Sequence, residues 1–159
     1  MRKRVVDPVP KDSPLPPLDR DWLDLEHVAQ VEVTSEDVAY PVESALAPGA
    51  ASGWRAAQPG QQTIRLVFDR PQWLRRIWLL FIEPDVARTQ EFVLSWSSDG
   101  GRSFREILRQ QWNFSRPGAI REVEDYHLEL SGVTHLDLTI VPDQRGGDAR
   151  ASLAQWRLA

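Results

Sequence analysis

Apolar residues recur at every second position through most of this chain, the spacing of half-buried β-strands rather than of helices. Residues 30–34 form a first short alternating run. Residues 63–68 place Ile64, Leu66 and Phe68 on one face. Residues 74–82 are apolar on both faces, Ile77, Leu79 and Phe81 against Trp78, Leu80 and Ile82, as in a strand covered on both sides. Residues 91–97 set Phe92, Leu94 and Trp96 together, and residues 103–114 form a longer strand whose imperfect parity predicts a bulge. Residues 125–130 point Tyr126, Leu128 and Leu130 inward, and residues 135–141 do the same with Leu136, Leu138 and Ile140. Residues 151–158 close the series with Leu153, Trp156 and Leu158.

Turn chemistry separates these runs. Ser98-Asp99-Gly100-Gly101 is a hairpin signal, because glycine reaches positive φ without steric cost. Asp69-Arg70-Pro71 and Ser131-Gly132 mark two further turns. Residues 43–60, rich in Ala, Pro and Gly, read as loop anchored by Trp54. No window carries a capped helical stripe. About eight short strands without intervening helices predict an antiparallel β-sandwich of the jelly-roll kind. Residues 1–20 hold Pro8, Pro10, Pro14, Pro16 and Pro17 and read as an extended arm, leaving 21–159 as a single domain.

Composition narrows the function classes. The 159 residues suit one domain, and seven tryptophans supply much of its core area. A formal net charge of −4 argues against a general polyanion binder, so no nucleic-acid partner is expected. No cysteine is present, which excludes disulfides and thiolate metal sites. Lysine occurs only at Lys3 and Lys11, an arginine bias typical of a GC-rich bacterial genome. The basic N-terminus lacks an apolar segment after it, and no run approaches the ~20 apolar residues of a membrane span. The expected location is cytoplasmic.

Four stretches together resemble the discoidin, or coagulation factor 5/8 C-terminal-like, domains of the galactose-binding-like superfamily. They are Gly53-Trp54 with residues 59–68; Leu74-Arg75-Arg76-Ile77-Trp78-Leu79; residues 91–107, in which a strand runs through Ser98-Asp99-Gly100 to Phe104 and a second strand; and residues 136–140 with 152–158. They cover roughly three quarters of the chain in the family's order. The resemblance implies an eight-stranded jelly roll that binds glycans, lipid head groups or proteins, often with a structural calcium near the N-terminal loops. The chain departs from that pattern: Ala47-Pro48-Gly49-Ala50 stands where the family has Asp-Gly before the first tryptophan. The expectation is therefore no cofactor, any calcium depending on backbone carbonyls.

Strand order locates the binding end. Successive antiparallel strands reverse direction, so their connections alternate between the ends of the sandwich. Turns 69–73, 99–102 and 131–133 then share one end with the C-terminus, and connections 83–90, 112–121 and 142–150 share the other with the loop 48–61. Long polar loops on a rigid scaffold are where binding residues gather. That end collects Trp54, Arg55, Arg88, Trp112, Asn113, Arg116, Asp143, Arg145, Asp148 and Arg150. Sugar recognition needs an aromatic face plus planar amide, carboxylate or guanidinium groups for the hydroxyls. Arg88, Trp112, Asn113, Arg116, Asp143 and Arg145 are the ligand-binding candidates. Trp54, Trp112 and the arginines each have a structural reading as well, as core anchors and local ion-pair partners.

No catalytic pattern competes. His27, His127 and His135 are not at metal-ligand spacing, and no nucleophile elbow or phosphate loop occurs. Glu83, Asp85, Asp143 and Asp148 are the acids from which a glycosidase pair would be drawn, but loop acids are ordinarily solvated. The cluster 122–125 reads as an acidic strand end that keeps an edge soluble. The expected function is non-catalytic binding of a glycan or related small ligand; the alternative is docking to an intracellular protein partner.

Overall fold

The computed structural model describes residues 22–49 and 52–159. The proline-rich arm expected at 1–20 lies outside the described residues. The strands in chain order are β1 (Ala29–Val33), β2 (Trp54–Pro59), β3 (Gln62–Ile82), β4 (Arg88–Ser97), β5 (Arg105–Phe114), β6 (Arg121–Val141), β7 (Arg150–Leu153) and β8 (Gln155–Leu158). Two single-turn helices join them, α1 (Leu25–Val28) and α2 (Glu43–Leu46). All strand–strand pairings are antiparallel, and the main sheet runs β1-β3-β6-β4-β5 with β8 added to β3. The strands β2 and β7 form a separate ribbon. No helix among the described residues is long and apolar enough to cross a membrane.

The expected turns at Asp69-Arg70-Pro71 and Ser131-Gly132 do not end their strands. β3 and β6 are 21 residues each and pair with one another along almost their whole lengths, through three register shifts between Val67 and Arg76. Proline without an amide donor and glycine at a φ of 72° disturb the ladder locally and bend it. Beyond the bend the same two strands supply the opposite layer. One layer holds β1, the first half of β3, the second half of β6, β4 and β5; the other holds the remaining halves and β8. The Phe81 and Phe92 rings, one from each layer, meet at 5.3 Å between centroids. Both are fully buried, each side chain contributing about 1.5–3 kcal/mol.

The predicted bulge is present: Leu94 pairs with Leu108 but Ser95 pairs with Glu106, leaving Ile107 as the extra residue. Within the Ser98–Gly101 turn, the Asp99 carboxylate accepts from Ser97 Oγ (2.7 Å), Ser103 Oγ (2.5 Å) and the Ser103 amide (3.0 Å). These bonds, Ser103 foremost, hold its carboxyl far below the usual carboxylate range. Trp54 is core, as expected, and donates through Nε1 to the Ser35 carbonyl at 3.1 Å. The stretch expected to be mostly loop contains two regular elements, α2 at Glu43–Leu46 and β2 at Trp54–Pro59.

Candidate functional site

The two sets of connections gather at opposite ends. Gln72 pairs with Val133, the Gly100 amide donates to Thr134 Oγ1 and the Arg75 amide donates to the C-terminal Ala159 carbonyl, so the tight turns and C-terminus sit together. At the other end the Glu83 amide donates to the Ile120 carbonyl (2.8 Å), Gln144 to Thr89 (2.8 Å) and Gly60 to Ala149 (3.3 Å). These bonds fasten the long loops to one another and to the end of β2.

Among these loops lies a cleft of about 200 Å³, lined by Arg55, Glu83, Asp85, Val86, Asp148, Ala149, Arg150 and Ser152. The β2–β7 ribbon forms one wall. Trp54 turns inward, so strand alternation turns its neighbour Arg55 outward, and Arg55 pairs with Ser152 while Pro59 pairs with Arg150. The Arg55 guanidinium lies over the Tyr40 ring at 5.0 Å, which fixes the plane of the fork and leaves its edge available. The side chains of Asp85, Asp148 and Arg150 have no ion-pair partner among the described residues. Among the described residues no aromatic ring lines the cleft. Two guanidinium groups and two carboxylates therefore present donors and acceptors across a space that a small polyhydroxy ligand would fill.

The six sequence candidates are distributed differently. Arg88 is a correction. Its side chain is 0% exposed and serves as an internal cross-brace: Nε donates to Glu83 Oε1 (2.8 Å), and Nη1 donates to Gln90 Oε1 (3.0 Å) and the Pro142 carbonyl (2.7 Å). Its guanidinium also lies over the Phe114 ring at 4.7 Å. Burial takes it out of reach of a ligand at the surface. Trp112 pairs with Gln90 on the inward side of β5, half-buried against the core. Asn113 is exposed and accepts from Thr89 Oγ1 at 2.8 Å. Asp143 Oδ1 accepts the Arg145 amide at 3.1 Å, closing the turn that carries Arg145. Arg116 and Arg145 are exposed, without an ion-pair partner among the described residues.

The interior below this end is polar. The inward parity of β4 runs from Leu94 and Phe92 to Gln90 and Arg88, and Gln90 Nε2 donates to Glu122 Oε1 at 3.1 Å. Glu122 is only 1% exposed, so this member of the 122–125 cluster is not the solvated acid expected, while Asp125 is exposed. Desolvation, reinforced by Glu124, pushes the Glu122 carboxyl up to about 9. The cleft residues Arg55, Asp148 and Arg150 were within the loop-end set, and Glu83 and Asp85 were among the loop acids; none was among the six candidates. The signal that separates them from Arg88 is parity: Arg55 falls opposite an inward tryptophan, whereas Arg88 falls in register with inward Phe92 and Leu94. Among the described residues no cluster of three or more His, Asp or Glu is arranged to hold a metal.

No protein-family model matches the sequence, and no curated protein matches it. Solved structures do. The family 32 carbohydrate-binding module of Clostridium perfringens NanJ, in complex with galactose, superposes with a TM-score of 0.64 at 12% identity, over 86% of this chain and 96% of that one. The CBM32 domain of AlyQ, in complex with 4,5-unsaturated mannuronic acid, gives 0.62 at 15% identity over 83% and 95%. Chitosan-binding module 1 from the chitosanase/glucanase of Paenibacillus sp. IK-5 gives 0.59 at 14% identity over 86% and 98%. Together with the strand order, the bend shared by two strands and the loop-end cleft, these likenesses establish that the chain has the discoidin-type, galactose-binding-like β-sandwich fold.

Proposed function

We propose that this domain is a non-catalytic carbohydrate-binding module whose ligand sits in the loop-end cleft. The observation that carries the reading is the convergence of four charged side chains without ion-pair partners, Arg55, Asp85, Asp148 and Arg150, on one cleft of about 200 Å³. Carboxylates accept from sugar hydroxyls, and guanidinium forks donate to ring and hydroxyl oxygens on neighbouring carbons. The volume is below the ~300–1,000 Å³ of pockets that enclose drug-sized ligands, so the cleft suits a single sugar unit. Asn113, Arg116, Asp143 and Arg145 belong to the outer rim, where further sugar units would lie, and Arg88 supports the cleft from beneath. The structurally similar modules bound to galactose and to an unsaturated uronic acid support a monosaccharide-sized subsite. Without an aromatic platform, affinity is expected to be roughly millimolar to micromolar.

The test is a glycan-array screen of the full chain followed by calorimetric titration of the best hit. Asp148→Asn with Arg150→Ala is expected to weaken that hit at least about tenfold while leaving Tm unchanged, one lost charge-assisted hydrogen bond accounting for a factor of this size. Unchanged binding in the double variant would remove the cleft from the reading, and a blank array would remove the sugar. A second reading, docking to a protein partner, has one observation in its favour: β5 ends the main sheet and presents ten residues of strand edge. A blank array together with recovery of one protein by co-purification, lost when β5 is altered, is the outcome that selects it.

A further inference from the structure

The backbone carbonyls of Ala45, Leu46 and Ala47, at the end of α2, converge on one point, and that point is the guanidinium of Arg157. Nη1 donates to Ala45 (3.2 Å), Leu46 (2.8 Å) and its neighbour Trp156 (3.0 Å), and Nη2 donates to Ala47 at 2.7 Å. Arg157 comes from β8, where it pairs with Trp78, so both side chains lie on the outer face of their layer, beneath α2. It is 4% exposed and has no carboxylate partner among the described residues. A buried cation without a counter-ion persists only when hydrogen bonds replace its lost hydration, and here four carbonyl bonds engage both terminal nitrogens.

Three carbonyl oxygens from consecutive residues are the kind of donor set that holds a hard cation such as calcium, which the family resemblance implies near these loops. The residues present do not fit such an ion. The carbonyls are already engaged, the space between them holds a positive charge, and among the described residues no group of three or more acidic or histidine side chains is arranged to hold an ion.

We infer that Arg157 is the built-in cation of this loop, fixing the end of α2 from Ala45 to Ala47 without any metal. How the loop is held does not depend on what the cleft binds. Arginine suits the role because its planar fork reaches several acceptors at once, whereas an ion would have to be recruited from solution.

The experiment measures Tm of the full chain in excess calcium chloride and in chelator, alongside Arg157→Met and Arg157→Lys. The expected result is the same wild-type Tm in both buffers. Arg157→Met, which keeps much of the packing volume but leaves the carbonyls without a donor, is expected to lose roughly 5 °C or more. Arg157→Lys, which keeps the charge and three donors, is expected to lose clearly less. A wild-type Tm that falls in chelator would overturn the inference, whether or not the variants fold. Equal losses for Met and Lys would also overturn it, since packing alone would then explain the position.

Discussion

Arg88 Nε lies 2.8 Å from Glu83 Oε1, with side chains that are 0% and 13% exposed. The pair sits under the loop that carries Asp85 and Val86, so one wall of the cleft rests on an ion pair whose arginine is fully buried and whose carboxylate is mostly so. Removing one partner of such a pair leaves the other charge buried and unpaired. Arg88→Met is expected to destabilise the fold by about 3–5 kcal/mol in denaturant titration. Adding Glu83→Gln should recover a large share of that loss. A cost below about 1 kcal/mol for Arg88→Met would mean that the brace contributes little to the loop.

Glu122 gives the protein a particular response to pH. Burial and Glu124 raise its carboxyl from an ordinary 4.5 to about 9, against the opposing pull of Gln90 and Arg88. Between those values the folded protein keeps a proton that the unfolded chain releases. The stabilising contribution is therefore complete below about pH 4 and declines as the pH rises toward 9. Glu122→Gln removes the proton release and keeps an oxygen for Gln90. Its Tm advantage over the parent should grow from pH 5 to pH 8, reaching an equivalent of about 1–3 kcal/mol near neutrality. An advantage that is constant with pH would show that Glu122 is ionised in the fold.

Two glycines separate backbone strain from steric contact. Gly53 and Gly100 both have positive φ, 67° and 76°. A Cβ on Gly100 meets nothing within 4 Å, whereas one on Gly53 would stand 2.6 Å from the Leu153 carbonyl oxygen. Gly100→Ala should cost about 1–2 kcal/mol, the left-handed penalty alone. Gly53→Ala should cost about 1–3 kcal/mol more, because the β2–β7 ribbon must open to accept the methyl group. Equal costs in denaturant titration would contradict the close packing of that ribbon.

Most of the architecture was legible because alternation is written directly into strands with one buried face. Ile64, Leu66 and Phe68 declared their face, as did Leu136, Leu138 and Ile140. The helices α1 and α2 were not legible, since a single turn is too short to show a period of 3.6. Strand β2 was hidden because Ala56 and Ala57 offer no contrast between buried and exposed faces. The bends at Pro71 and Gly132 carry the same residues as true reversals, and only pairing partners distinguish the two. The gathering of the long connections at one end of the sandwich followed from strand direction. The role of Arg88 did not, because a charged residue beside a loop reads as solvated unless the inward parity of Phe92 and Leu94 is extended backward through Gln90.

The two bent strands also determine how the molecule can come apart. A sandwich made of two independent sheets has a seam along which one face can peel from the other. Here β3 and β6 cross that seam, and the ladder between them continues from one side to the other. Neither face can detach while its own hydrogen bonds remain intact, so local opening is confined to the margins: the β2–β7 ribbon, the outer strands β1, β5 and β8 and the loops around the cleft. The scaffold is thereby most rigid along its middle and most adaptable at the rim of the cleft.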